Sequence, residues 1–561
     1  MPEIVTRERD PAAFNALLAA NVDPRMARVY AARGIASAAD LNHGLPALLP
    51  PAQLAFIEDA ARLLADAIEA RKRLLIVADY DADGATACAV GMRALAAMGA
   101  KVDFIVPNRF EFGYGLTPEI VALAAQSSPD IIITVDNGIA SVDGVAEANR
   151  RGIQVLVTDH HLPGQSLPDA AVIVNPNQVG DHFASKNLAG VGVIFYAMTA
   201  LRAELRARNY FAGKTEPNLA DLLDLVALGT VADVVRLDHN NRVLVEQGLA
   251  RIRAGRMSPG IRALMQVAGR DPGRASTYDL GFVVGPRLNA AGRLNDMSLG
   301  ISCLLADDER NATELASKLD ALNRERRSIE SEMRDVALAS LEDVDVGARY
   351  ALSMFDASWH QGVVGILASR IREKYHRPVI AFAQDGQGNL KGSGRSITGF
   401  HMRDALDLVT KRHPELISKF GGHAMAAGLT IAETGMADFA NAFEAVAREL
   451  LTPADLAERI ETDGTLNADE LTFDFVQTID HQVWGQGFAA PSFMGHFRVL
   501  EQRVVGQKHL KLKLSSGGAT FEAMRFGSGD ALNTSIDAVF RPSINEFRGQ
   551  ATLQLTVDYI A

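Results

Sequence analysis

Cysteine is almost absent from this chain of 561 residues: Cys88 and Cys303 are the only two, each set in apolar surroundings. That excludes a disulfide framework and a thiolate metal site, and leaves both thiols as reduced filler. Long apolar runs are also missing. No stretch approaches the roughly 20 uninterrupted residues of a membrane helix, and Met1 to Asp10 is charged where a secretory leader is apolar, so the expected location is the cytoplasm. A basic surplus is lacking too, the net charge being −12. This argues against nucleic acid only if charge is spread evenly, because clustered active-site carboxylates count fully in the sum while a cationic groove elsewhere is hidden by it. Internal repeats and low-complexity tracts are absent as well.

What is present, 48% hydrophobic and 22% charged residues, suits a chain able to bury several cores, roughly three or four domains. From about Arg73 to Asp159 a short β-branched apolar run, a polar turn and an alanine-rich helical stretch recur. The runs are Leu74 to Val77, Val102 to Val106, Ile131 to Val135 and Val155 to Val157. Such alternation predicts a doubly wound parallel α/β sheet, whose ligands gather beyond the carboxyl ends of the strands. Leu188 to Ala306 reads as mainly helical, with Gly285 to Arg293 as a loop. Asp307 to about Leu341, free of proline and glycine, reads as one long connecting helix. Mixed strand and helix return from Tyr350 to Leu451, and the last hundred residues carry the short runs of a small, OB-like β-barrel. The expected domains are 1–306, a connecting helix 307–345, 346–453, and 454–561.

The sharpest motif is Asp79-Tyr80-Asp81-Ala82-Asp83-Gly84, following an apolar run. Three carboxylates at alternate positions converge only if a cation offsets their repulsion. An EF-hand loop begins the same way but needs a glutamate at its twelfth position, which here is Val90, and a helix before it. Asp136, Asp159-His160-His161 and Asp233 each close a further apolar run. One aspartate in such a place is more often a turn or helix cap; four in one lobe, one carrying paired histidines, point to a shared crevice. Carboxylate mixed with imidazole suits Mn²⁺, with Mg²⁺ the alternative, and two such ions about 3.5 to 4 Å apart clamp the oxygens of phosphoryl transfer. No His-Glu-x-x-His occurs, which disfavours a zinc hydrolase.

These motifs, with Gly421-Gly422-His423, Val106-Pro107-Asn108-Arg109, Gly285 to Arg293 and Trp359 to Gly365, resemble the RecJ exonucleases of the DHH superfamily over nearly the whole chain. The resemblance implies a DHH catalytic domain, a DHHA1 domain facing it across a channel too narrow for duplex, and an OB-like barrel. It implies metal ligation by Asp81, Asp83, Asp136, His160 and Asp233, with Asp136 bridging and Asp79 a ligand or support. Asp159 would orient the histidines, and His161 would face the scissile phosphate. Arg109, Arg287, Asn289, Arg395, Ser396 and His423 would hold the strand. Apart from the resemblance, Tyr114, close to Arg109 in the chain, is expected to stack on a base. Phe112 stands where the family pattern expects an acid. The implied activity is 5′-to-3′ hydrolysis of single-stranded DNA by a monomer, in recombination and repair, with a single-strand-binding protein and a helicase as partners. Its rivals are a phosphoesterase of short oligonucleotides, cyclic dinucleotides or polyphosphate, and a non-catalytic DNA-binding scaffold. In the barrel, His509, Lys511 and Lys513 alternate with leucines, a pattern shared by a cationic binding face and a solvated one.

Overall fold

The computed structural model describes residues 2–108, 112, 114–342, 344–506, 508–547 and 550–561. Strand β1 (Arg73–Ala78) leads to helix α1 (Ala82–Ala97) and β2 (Lys101–Ile105); helix α2 (Pro118–Ala124) precedes β3 (Ile131–Val135), α3 (Val142–Arg150), β4 (Gln154–Thr158) and β5 (Val172–Val174). Helices α4 (Gly190–Ala207) and α5 (Leu223–Ala232) follow. The strands form one parallel sheet in the order β2-β1-β3-β4-β5. Period two sorts its side chains. Leu75, Val77, Ile132, Val155 and Val157 pack beneath α2 and α3, while Ile76 meets Gly91 of α1 and Ile194 of α4 on the other face. Burial on both faces is why these strands read as unbroken apolar runs.

Helix α6 (Gly285–Leu294) corrects the reading of Gly285 to Arg293 as a loop. Pro286 occupies the first turn, where its missing N–H costs nothing, and a π-helical turn, Asp279–Val284, feeds it. Helix α7 (Glu309–Ser340) then runs 32 residues. The chain divides into two compact units, one of residues 1–5 and 321–460, the other of 6–320 and 461–561. The first holds a five-stranded sheet, β9 (Lys419–Gly422), β10 (Ala426–Ala432), β8 (Asn389–Arg395), β7 (Val379–Gln384), β6 (Leu352–Phe355), parallel only between β6 and β7.

In the second unit a closed barrel orders β11 (Phe493–Val505), β12 (His509–Ser516), β13 (Ala519–Arg525), β15 (Gln550–Ile560) and β14 (Ser535–Phe547). Residues ahead of the barrel are tied to the N-terminal helices of the same unit. Buried Asp463 accepts from Arg33 Nη1 at 2.6 Å, and Tyr30 stacks on Trp484 at 6.3 Å. Breaking such a buried pair on one side costs about 3 to 5 kcal/mol, so this joint fastens the segment ahead of the barrel to the N-terminal helices. Among the described residues no helix is long and apolar enough to cross a membrane.

Candidate metal centre

Parallel register builds half the site. Ala78 aligns with Val135, and Val135 with Thr158, so the next residue on each strand, Asp79, Asp136 and Asp159, emerges at the same carboxyl edge. Asp136 turns there with φ of 62°, a left-handed conformation that L-residues other than asparagine and aspartate seldom take. Its N–H donates to Thr158 O at 3.0 Å, fixing the turn. Asp81 caps α1, its Oδ1 accepting from Asp83 N at 2.9 Å and Gly84 N at 3.0 Å. Buried Asp83 accepts from the first N–H groups of α4, Gly190 at 2.6 Å and Val191 at 2.9 Å. Asp233 arrives from a helix rather than a strand, as the mainly helical reading of Leu188 to Ala306 expects. It is the C-cap of α5, a helix so evenly buried that its sequence carries no helical stripe.

Among the described residues, three groups of side chains gather closely enough to hold ions: Asp79, Asp81 and Asp136; Asp83, His160 and Asp233; Asp136, His160 and His161. Asp136 and His160 each recur, so the groups are contiguous. His160 Nε2 lies 3.1 Å from Asp136 Oδ1 and 3.5 Å from Asp233 Oδ2, yet all three atoms are buried without a hydrogen-bond partner among the described residues. Orphaned buried polar atoms cost about 1 to 3 kcal/mol each, so three facing one point fit a cation that satisfies them together. Burial and then mutual repulsion push all three carboxyls upward: Asp83 to about 7 with Asp233 as its main charged neighbour, Asp233 to about 7 with Asp81, and Asp136 well above the usual range with Asp83. Burial, and then the charge of His161, lower the pKa of His160, which favours the neutral imidazole a metal requires.

Asp159 has no capacity to spare. Its Oδ2 accepts from Ile139 N at 2.9 Å, and its Oδ1 from His160 N at 2.7 Å, His161 N at 3.1 Å and His161 Nδ1 at 2.7 Å. Burial alone would depress His161, but this carboxylate raises it to about 9. Tyr114 donates to Asp136 O at 3.2 Å and stands 3.1 Å from His161 Nδ1, so its hydroxyl belongs to the centre itself.

Among the residues expected to hold the strand, Arg109 lies outside the described residues. Arg287 projects from α6, where Asp320 meets its Nε at 3.0 Å and Val283 O its Nη1 at 2.6 Å. Asn289 accepts from Ala82 N at 2.8 Å, which gives it the work of bracing the Asp79–Asp83 loop. Gly292 lets α6 approach that loop, since a Cβ there would lie 1.9 Å from Tyr80 O. Phe112, where an acid was expected, packs against the apolar cluster under the sheet.

Ser396 requires a correction. It is fully buried and its hydroxyl donates to Phe400 O at 2.6 Å. Ser393, which the sequence reading passed over, is the serine beside Arg395, accepting from its Nη1 at 3.0 Å. Arg395 has no carboxylate partner among the described residues, and burial with the nearby Arg372 charge lowers its pKa. His423 opens the exposed β9–β10 loop, its N–H donating to Ala426 O at 2.8 Å. In the barrel, Lys511 pairs with Glu522 at 3.0 Å and Lys513 with Glu501 at 3.6 Å, so the cationic stripe is offset across strands.

Gly190 was also missed. A Cβ there would lie 2.7 Å from Asp136 Oδ1, so only glycine lets α4 meet the carboxylate. Gly190→Ala is expected to lower turnover at least about tenfold and to lower the thermal midpoint of the chelated protein, overpacking of this kind costing about 1 to 3 kcal/mol; activity and midpoint both at wild-type values would contradict this packing.

The domain family described as DHH family, N-terminal domain matches residues 73–230, DHHA1 domain residues 347–449, and RecJ OB domain residues 462–559. The single-stranded-DNA-specific exonuclease RecJ of Salmonella typhimurium is 49% identical over 97% of this chain and 96% of its own. That of Dickeya dadantii is 50% identical over 95% of each. The crystal structure of RecJ in complex with Mn²⁺ from Thermus thermophilus superposes with a TM-score of 0.83 at 31% identity, covering all of this chain and 79% of the other.

Proposed function

The chain belongs to the RecJ family, and on that premise we propose that it is a metal-dependent exonuclease that hydrolyses single-stranded DNA from the 5′ end. The observation that carries this reading is the trio of orphaned atoms, Asp136 Oδ1, His160 Nε2 and Asp233 Oδ2, turned toward one another. Asp79, Asp81 and Asp136 would hold one cation and Asp83, His160 and Asp233 the other, and Asp136 Oδ1, facing His160 Nε2 at 3.1 Å, stands where the two groups meet. Oxygen donors mixed with one imidazole suit Mn²⁺ and accept Mg²⁺, the two ions named for the Thermus thermophilus complexes. When bound, the cations supply Lewis-acid chemistry, drawing charge from the phosphoryl oxygens and acidifying water.

The chain's own groups do the rest. Asp159 accepts from His161 Nδ1 and holds the imidazolium turned, so the ring's other N–H gives a proton to the leaving 3′-oxygen as the P–O3′ bond breaks, while the proton lost by the attacking water passes to solvent. Asn289 and the capping of α1 by Asp81 hold the loop rigid. Arg395 and Ser393, with His423, offer an anion site suited to a terminal phosphate. The same reading places its work in recombination and repair in the cytoplasm, with a single-strand-binding protein and a helicase as the partner classes proposed. The deciding experiment is digestion of end-labelled single-stranded and duplex DNA with Mn²⁺, Mg²⁺ or chelator. Release of the 5′ label first, from single strands only and only with metal, is expected; 3′ release, or digestion in chelator, contradicts the reading.

Stability should follow the same charges. Asp83 and Asp233 have folded pKa values of about 7, above their unfolded value, so the stability tied to their protonation is present at low pH and lost as pH rises through about 7. Mn²⁺ is therefore expected to raise the unfolding midpoint strongly at pH 8 and little at pH 5. An equal increment at both, in thermal scans against chelator, would speak against it.

A further inference from the structure

Beside the metal centre, in the same compact unit, lies a cavity of about 440 Å³ that the proposed mechanism does not use. Val231 and Val234, which bracket Asp233 in the chain, form one wall. Tyr278, the N-cap of the π-helical turn that feeds α6, and Phe282 within that turn form its lip, and Trp484, ahead of the barrel, and Arg541 of β14 close the far side. Phe282 is 73% exposed and Tyr278 57%, with ring centroids 5.2 Å apart and planes 25° from parallel. Val234 is 62% exposed and sits at φ of 63°, a conformation a β-branched residue rarely adopts. Leaving such side chains in water forgoes the free energy of burial, and grouped around one cavity mouth they differ from singly scattered exposed residues. The π-turn belongs to the same argument, since such turns recur at functional sites.

Charge narrows the occupant. Arg541 is gripped by Asp558 at 2.7 and 2.8 Å, Arg270 pairs with Asp279 at 3.2 Å, and Arg274 pairs with Glu546. Asp480, also on the wall, has its carboxyl pushed up by burial and accepts from Ile544 N at 3.0 Å. The lining therefore offers flat apolar surface with its charges already offset, which suits the uncharged aromatic part of a nucleotide better than its phosphate. Two rings and one valine are also small beside the roughly 800 Å² per partner of a stable protein interface. Position favours the strand itself: one wall is α5, which delivers Asp233, and the other is β14 of the barrel.

We propose that Tyr278 and Phe282 form a stacking step that receives an unpaired nucleobase of the substrate strand between the metal centre and the barrel. This rests on the single-stranded-DNA reading above. Stacking on an aromatic side chain is worth about 1 to 3 kcal/mol per base and is tolerant of sequence, as a nuclease without base preference requires.

The test is equilibrium binding, in chelator, of labelled oligonucleotides carrying one abasic site at successive positions, to wild type, Phe282→Ala and Tyr278→Ala. Both side chains are largely exposed, and an unchanged unfolding midpoint checks that the variants fold. At one or two positions, base removal is expected to weaken wild-type binding about 5- to 100-fold, while the variants bind that abasic strand as they bind the intact one. Equal abasic penalties in wild type and variants at every position overturn the proposal. So does intact-strand binding unaltered by either substitution, which leaves the patch to a protein partner. A wild type that binds and digests no single strand at all refutes instead the reading on which the step rests.

Discussion

Asp136→Asn is expected to lower single-strand cleavage by at least about 10³-fold at saturating Mn²⁺, the several kcal/mol of transition-state stabilisation that a metal pair supplies. Asparagine is the informative replacement because it accepts the left-handed backbone that residue 136 adopts at φ of 62°, whereas alanine adds strain there. The amide keeps the volume against Gly190 but loses the anionic oxygen that faces His160 at 3.1 Å. The amide is neutral without taking up a proton, so it escapes the cost that burial, and then repulsion from Asp83, Asp81, Asp233 and Asp79, imposes on the Asp136 carboxyl when the metal-free chain folds. The chelated variant should thus unfold no earlier than chelated wild type. Catalysis and metal-free stability moving in opposite directions is what distinguishes a ligand from a structural carboxylate; a variant that loses both would be explained by misfolding instead.

His161→Gln is expected to cost about 10²- to 10³-fold in kcat, the range of a positioned proton donor, with Mn²⁺ affinity within a few-fold of wild type. In the fold, His161 is held by Asp159 and accompanied by the Tyr114 hydroxyl, while His160 is the imidazole among the orphaned atoms. The two neighbours should therefore separate experimentally: loss at 160 weakens metal binding, loss at 161 does not. Wild-type kcat should fall on the alkaline side as His161 gives up its proton, and the variant should lack that limb. A profile unchanged by the substitution, or a metal affinity that collapses with it, would place the proton donor elsewhere.

The parallel sheet and the alignment of Asp79, Asp136 and Asp159 were legible because both follow from one local rule. Strands buried on both faces read as apolar runs, and equal register brings the next residues to one edge. Asp233 joins them by another route, from the end of a helix buried all round, whose residues Leu225 to Ala232 show no periodicity to separate it from a strand. Helix α6 was hidden by its own composition. Gly285, Pro286 and Gly292 read as loop formers, but Gly292 serves the close approach to Tyr80, and that need exists only in three dimensions. Gly190 is the same case against Asp136. The serine error had a remedy in the sequence: along a strand, residues two apart share a face, so Ser393 accompanies Arg395 and Ser396 turns inward. Lys511 and Lys513 were assigned to the outward face of their strand by that same period, and the glutamates that offset them come from neighbouring strands that a single segment does not reveal.

The central claim is that acidic and imidazole groups from four separate segments share a pair of cations. Anomalous diffraction from crystals of the protein grown with Mn²⁺ tests it directly. Two peaks are expected roughly 3.5 to 4 Å apart, with Asp136 touching both, His160 and Asp233 on one side and Asp79 and Asp81 on the other. A single peak that leaves Asp136 out, or manganese bound only elsewhere on the molecule, would contradict the account.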